Sequence, residues 1–131
     1  MRSERGFTLI ELLIVIAIIG IIAGIAVAQL RTAPQKAREA VLKEDLYAMR
    51  DVIDQYFADK GKYPESLDAL VNEGYLRKIP EDPITKSTET WQIVHAEDTG
   101  EDPDADAAGG VIDVKSGADG TALDGSSYSD W

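Results

Sequence analysis

Apolar residues follow two patterns in this chain, the first continuous and the second periodic. Phe7 to Leu30 is a 24-residue stretch whose one charged residue is Glu11, and from Leu12 to Ala28 every residue is Ala, Gly, Ile, Leu or Val. A run of this length is enough to cross a bilayer as a helix. The first pattern therefore predicts a membrane-spanning helix over residues 7–30.

The helix is predicted to continue over residues 31–60. Large apolar side chains recur there at spacings of three and four among charged residues, at Val41, Leu42, Leu46, Met49, Val52, Ile53, Tyr56 and Phe57. Such a stripe is typical of a helix that lies against a domain or against other helices. Pro34 is expected to kink this helix because its ring clashes with the preceding turn, and Gly61 is expected to end it.

The rest of the chain, residues 61–131, predicts a small head of mixed structure. Glu65 to Glu73 has the spacing of a short helix, with Gly74 at its C-terminal end. Thr90–Ala96 and Gly110–Lys115 are rich in β-branched and aromatic residues, as strands are. Helix and strand in one head predict the α+β class.

Charge is distributed unevenly along the chain, and this distribution limits the kinds of molecule that the protein can bind. The net charge is −11, and residues 63–131 hold sixteen Asp and Glu against four Lys and Arg. An acidic surface repels nucleic acid, so no nucleic-acid partner is predicted. Glu97–Gly109, between the two predicted strands, is acidic and is expected to be a solvated loop. The absence of cysteine excludes disulfides, thiol chemistry and cysteine zinc sites.

The N-terminus offers two places for cleavage. Residues 1–6 form a short charged leader whose last residue, Gly6, directly precedes the apolar stretch. A cut after Gly6 would keep the apolar helix and make Phe7 the new N-terminus, whereas an ordinary signal peptide is cut after its apolar region. Ala26-Val27-Ala28 could serve that ordinary cut and release a soluble domain. An uncleaved anchor is the third interpretation.

Several motifs resemble one family of filament proteins. Gly6-Phe7-Thr8-Leu9-Ile10-Glu11, followed by an unbroken apolar helix, resembles the class III signal of type IV pilins and type II secretion pseudopilins. The head resembles the major, G-type pseudopilin in Tyr63-Pro64, Gly74-Tyr75-Leu76, Ile79-Pro80-Glu81-Asp82-Pro83, the ending Ile112 to Gly120, Asp124 and Asp130-Trp131. Ala28 departs from the family, many of whose members have Pro there, and the loop 97–109 looks longer than usual.

This resemblance implies a structural subunit rather than an enzyme. The implied head has one short helix and a small antiparallel sheet. A prepilin peptidase would cut after Gly6 and Phe7 would be N-methylated. The subunit would sit in the inner membrane as a single-pass protein with its head in the periplasm, and it would polymerise with itself through the N-terminal helices. Minor pseudopilins and an inner-membrane assembly platform are the other implied partners.

Glu11 is the strongest candidate for a functional side chain. A carboxylate within an apolar span is costly, and by default it marks a site with a partner. We expect it to pair with the N-terminal amine of Phe7 on a neighbouring subunit. The alternative interpretation is an acid stabilised by the helix dipole in the first turn.

A calcium ion is expected in the C-terminal loop. Calcium takes six to eight oxygen ligands, commonly carboxylates and backbone carbonyls. Asp119 and Asp124 stand five residues apart in a Gly-rich turn. The matching loop of G-type pseudopilins binds calcium, so the resemblance points to Asp119, Asp124 and Ser116, with the carbonyl of Lys115 able to join them. An ordinary solvated turn is the alternative.

Three other functions stay open at this point. The same fold would suit a type IV pilin of a surface pilus. A cut at Ala28 would give a secreted acidic calcium-binding module. A membrane-anchored hydrolase would need His95, the single histidine, as its base, but no G-x-S-x-G nucleophile motif is present. No enzymatic activity is predicted.

Overall fold

Two helices and a two-stranded sheet make up the regular structure of residues 5–96 and 109–131, the part of the chain that the computed structural model describes. In chain order the elements are α1 (Leu9–Lys60), α2 (Leu67–Asn72), β1 (Gln92–His95), β2 (Val111–Lys115) and a 3-10 turn (Tyr128–Asp130). A long helix, a short helix and an antiparallel pair of strands confirm the predicted α+β class.

The chain divides into two compact units, Met1–Gln35 and Lys36–Trp131. In the first unit every described residue up to Pro34 is exposed, and α1 is long and apolar enough to cross a membrane. A helix that is apolar on all sides needs lipid or other helices around it. Pro34 lies inside α1, and the kink at this residue stays a prediction.

The described residues of the second unit form a hydrophobic core on one face of α1. The face consists of Leu42, Leu46, Met49, Ile53 and Tyr56, and it packs with Leu70 of α2, Trp91, and Val111 and Val114 of β2. Val41 and Phe57 belong to the predicted stripe but are 47% and 41% exposed. Each lies one residue from a buried position, which rotates it by about 100° around the helix and out of the core.

Capping makes α2 shorter than the predicted Glu65–Glu73. The hydroxyl of Ser66 accepts a hydrogen bond from the amide of Ala69 (3.2 Å) and so fixes the start of the helix. Gly74 adopts φ +84° just beyond the end, and the amide of Tyr75 donates to the carbonyl of Leu70 (2.9 Å). The left-handed glycine ends the helix as the sequence predicted.

The strands β1 and β2 pair antiparallel and are slightly shorter than predicted. Gln92 lies opposite Lys115 and Ile93 opposite Val114, with an irregularity in register between Val94 and His95. Residues 97–108 lie outside the described part of the chain, so the predicted solvated loop stays a prediction.

Candidate functional site

The start of α1 presents the three residues predicted for processing and assembly. Gly6 and Phe7 precede the helix, and Glu11 lies in its first turn, with all three exposed. Thr8 caps this end: its hydroxyl accepts a hydrogen bond from the amide of Glu11 (3.2 Å), and its carbonyl accepts one from Leu12 (3.1 Å). The cap fixes the first turn, so the carboxylate of Glu11 is held close to the N-terminus.

Thr8 was missed by the sequence reasoning, although the pattern Thr-x-x-Glu over residues 8–11 is a local signature of a helix N-terminus. The cap by Thr8 binds the backbone amide of Glu11 and brings no positive charge to the Glu11 carboxylate. No salt bridge involves Glu11 among the described residues. In an apolar medium an ionised carboxylate requires a cation beside it.

The second candidate site is the loop over residues 116–127, the C-terminal loop. It is closed by an isolated β-bridge between Thr121 and Ser127 and by a hydrogen bond from the amide of Ala122 to the carbonyl of Ser126 (2.7 Å). Gly120 and Gly125 adopt positive φ, +135° and +88°, which lets the chain turn tightly here.

Asp119 and Asp124 are both exposed on this loop. One oxygen of Asp124, Oδ1, accepts hydrogen bonds from the hydroxyl (2.6 Å) and the amide (2.9 Å) of Ser126. The hydrogen bond from the Ser126 hydroxyl is the main cause that holds the pKa of Asp124 below its ordinary value, and the bond from the Ser126 amide is the next. The nearby charge of Lys43 adds a smaller effect in the same direction. Asp124 is therefore ionised at neutral pH, as a calcium ligand must be.

Ser116 and Lys115 are placed differently from the two acids. Ser116 is fully buried, and its hydroxyl donates to Asp82 (2.6 Å) while accepting from the amide of Ala118 (3.1 Å). Lys115 ends β2 and is half-buried. In this conformation the hydroxyl of Ser116 is engaged by protein groups, so calcium would rely on Asp119, Asp124 and backbone oxygens.

The oxygen donors fit calcium in chemical type. Carboxylates and carbonyls are hard ligands, and two exposed acids on a glycine-containing loop suit its flexible geometry. No group of three or more His, Cys, Asp or Glu that could hold a metal occurs within residues 5–96 and 109–131. A calcium site here would accordingly need backbone carbonyls and water for most of its ligands.

Asp82 is a buried acid that the sequence reasoning noted only as part of a resemblance. Its Oδ1 accepts from the amides of Ile84 (2.8 Å) and Thr85 (3.3 Å), and its Oδ2 accepts from Ser116. A fully buried carboxylate must be satisfied in this way. Asp82 thus joins the turn over residues 82–87 to the beginning of the C-terminal loop.

His95 lies in β1, where the sequence predicted a strand residue rather than a catalytic base. Its Nδ1 is 3.1 Å from the carbonyl oxygen of Gly109. Because a carbonyl only accepts, this nitrogen carries a proton and donates. The contact connects β1 to Gly109, two residues before the start of β2, so His95 helps to hold the two strands together.

Comparison with known proteins shows which family the chain resembles in sequence. The model of the prokaryotic N-terminal methylation motif matches residues 1–27. The type II secretion system core protein G of Pseudomonas aeruginosa is 37% identical over 98 residues, which cover 63% of this chain and 69% of that protein. The proteins of the same name from Aeromonas hydrophila and Klebsiella pneumoniae are 35% and 34% identical, again over 63% of this chain and over 68% and 71% of theirs.

The chain belongs to the type II secretion system core protein G family. This confirms the resemblance predicted from the leader, Glu11 and the head, and it identifies the chain as a major pseudopilin. The family is structural. The surface-pilin and secreted-module alternatives are not favoured. No solved structure matches the chain.

Proposed function

We propose that this pseudopilin is a filament subunit that polymerises in the periplasm and drives protein export through a type II secretion system. Family membership and the methylation motif over residues 1–27 support the class of protein. The observation that carries the proposal is Glu11, a carboxylate in the first turn of an exposed apolar helix. Such a helix is suited to storage in the membrane and to packing with copies of itself.

Processing prepares the subunit for assembly. A prepilin peptidase of the inner membrane removes residues 1–6 and exposes the amine of Phe7, which becomes methylated. A methylated amine keeps its positive charge. The first half of α1 then anchors the subunit, and the head lies in the periplasm.

Polymerisation packs the apolar helices against one another and pairs two charges that would otherwise lie unpaired in hydrocarbon. The carboxylate of Glu11 pairs with the amine of Phe7 on the neighbouring subunit. Either charge alone in hydrocarbon costs several kcal/mol, and pairing offsets much of that cost. Because both charges would again be unpaired if neighbouring subunits were shifted along the filament axis, the pair also selects one axial position.

Minor pseudopilins and an inner-membrane platform complete the machinery, and no catalytic step is assigned to this chain.

Replacement of Glu11 tests this function. The variant Glu11→Ala is expected to insert in the membrane at normal levels but to form few or no filaments and to stop export, because the amine of Phe7 loses its partner. Filament yield by electron microscopy and export of a secreted substrate measure the effect.

The matched control is Glu44→Ala, which removes the same charge from an exposed position of the same helix. It is expected to assemble normally. Normal filament yield from Glu11→Ala would rule out the proposed pairing.

We also propose that the C-terminal loop binds one calcium ion through Asp119, Asp124 and backbone oxygens, the carbonyl of Lys115 among the candidates. The exposure of both acids and the lowered pKa of Asp124 support this. A bound cation would neutralise part of the acidic head and hold the loop in one conformation. Ser116 contributes through its buried hydrogen bond with Asp82.

A further inference from the structure

The carboxylate of Glu39, on α1, holds the C-terminal loop at a point between Asp119 and Asp124. Oε1 of Glu39 accepts a hydrogen bond from the amide of Leu123 (3.0 Å) and another from the hydroxyl of Tyr128 (2.8 Å). Leu123 immediately precedes Asp124, and Tyr128 is buried where the 3-10 turn begins. One oxygen thus fixes the backbone beside Asp124 and the residue that follows the closing bridge of the loop.

A second route connects α1 with Asp124. Nζ of Lys43, one helical turn after Glu39, lies 4.4 Å from the centre of the Trp131 ring. The indole nitrogen of Trp131 donates to the hydroxyl of Ser126 (2.7 Å), which in turn donates to Asp124. The side chain of Asp124 is therefore oriented by contacts that begin on the helix.

Preordering of this kind affects how strongly a cation binds. Calcium binding gathers several oxygens around one point, and a loop that is ordered only on binding loses conformational entropy at that step. A loop already held in position loses less. Ligand-bearing loops consequently depend on residues that never touch the ion.

We propose that Glu39 is a positioning residue for the calcium ion, acting through Leu123 and Tyr128 without contacting the ion. This inference rests on the proposed calcium site in the C-terminal loop. By linkage, calcium binding must strengthen the attachment of that loop to α1 by the same factor by which the attachment strengthens calcium binding. The ion would thereby stabilise the helix face on which the head is built.

Titration calorimetry on the full chain in a nonionic detergent, with CaCl₂ as titrant, tests the proposal. Glu39→Ala is expected to weaken calcium binding about tenfold, because two hydrogen bonds to a charged acceptor are lost. Glu39→Gln keeps an acceptor oxygen and is expected to bind within about threefold of wild type. Tyr128→Phe removes one of the two donors and is expected to give an intermediate loss.

Glu44→Ala is the control for charge, since it removes one carboxylate from an exposed position of the same helix and is expected to bind calcium as wild type does. Circular dichroism in EDTA checks that each variant is folded. Should Glu39→Ala not fold, the other two variants decide the question: wild-type affinity in Tyr128→Phe, or a tenfold or larger loss in Glu39→Gln, would then overturn the inference.

Two results would overturn the inference alone. The first is wild-type affinity in both Glu39→Ala and Tyr128→Phe. The second is an equal, large loss of calcium affinity in Glu39→Gln and Glu39→Ala. That result would show that the charge of Glu39 matters and that Glu39 binds the ion directly. Wild-type protein that shows no heat of binding, and the same melting temperature in CaCl₂ and EDTA, would instead overturn the calcium site itself and this inference with it.

Discussion

Gly117 shows how a single residue sets the spacing between two segments of the head. A Cβ atom at this position would lie 1.8 Å from the carbonyl oxygen of Thr90 and 2.8 Å from its carbonyl carbon. Backbone atoms cannot yield as the end of a flexible side chain can. Gly117 therefore lets the start of the C-terminal loop lie directly against the residue before Trp91, which is buried in the core.

Gly117→Ala is expected to be among the most destabilising substitutions in the head, with a loss of about 3 kcal/mol or more in the free energy of unfolding, because two backbone segments must separate. Thermal unfolding followed by circular dichroism measures it. Gly61→Ala is the matched control: its Cβ would meet no atom within 4 Å, and only a positive φ of +70° opposes it, at a cost of about 1–2 kcal/mol. Equal melting temperatures for the two variants would contradict the steric explanation.

Residues with a local signature could be predicted from the sequence, and residues with distant partners could not. Gly6, Phe7 and Glu11 fall within one short motif next to an apolar run. Asp82 and Glu39 act on residues 34 and 84 positions away, and nothing in their own surroundings in the sequence indicates those partners. Their roles follow from how the chain folds back on itself.

At the scale of elements, periodicity predicted the helices and strands well because each pattern repeats within the element itself. Hydrogen bonding set the boundaries: the cap at Ser66 delays α2, and β1 is confined to the residues that pair with β2. The attachment of the last residues to α1 had no periodic signal. Arg50 is one of the α1 residues that make it, and its contacts reach 63 to 81 residues along the chain.

Arg50 joins α1 to β2 and to the end of the described chain. Its Nε donates to Asp113 (2.7 Å), and one Nη donates to the carbonyls of Val114 (3.0 Å) and Trp131 (2.7 Å). A planar guanidinium can reach three acceptors at once, whereas the ammonium of lysine is a compact charge on a flexible stem. The three bonds hold one strand and the C-terminal segment against the same helix.

Arg50→Ala is expected to lower the free energy of unfolding by about 1–2 kcal/mol, a value reduced for the partial exposure of the ion pair. Arg50→Lys is expected to recover less than half of this loss. Urea unfolding of the full chain in detergent measures both, with Arg38→Ala, at an exposed position of the same helix, as the control. A loss no larger than that of Arg38→Ala would show that the three bonds contribute nothing measurable.

At the scale of the whole molecule, the chain combines an apolar unit and an acidic one. Both were predicted from composition: the continuous run over residues 7–30 and the surplus of acids over residues 63–131. The two differ in the surroundings that suit them, since an apolar helix requires lipid or other helices around it whereas a charged surface is stable in water. The predicted boundaries of leader, membrane helix, helix continuation and head (residues 1–6, 7–30, 31–60 and 61–131) stay predictions.

Cleavage at the two candidate sites would give two different mature proteins. A cut after Gly6 keeps the apolar unit and gives a subunit that can polymerise. A cut after Ala28 discards that unit together with Glu11 and releases only a soluble acidic protein. The two outcomes differ in intact mass by residues 7–28, so mass spectrometry of the mature protein separates them without ambiguity.

The mature protein is expected to lack residues 1–6 and to carry one methyl group on Phe7. Gly6→Val is expected to leave the precursor at full mass and to prevent filament formation, because a branched side chain at the cleavage position does not suit a peptidase that reads a small residue there. Ala28→Leu is the paired control: it disrupts the Ala-x-Ala pattern that an ordinary signal peptidase needs and is expected to leave processing unchanged. If Ala28→Leu accumulated as precursor while Gly6→Val matured normally, the head would be released as a soluble protein, and a filament built on α1 would be excluded.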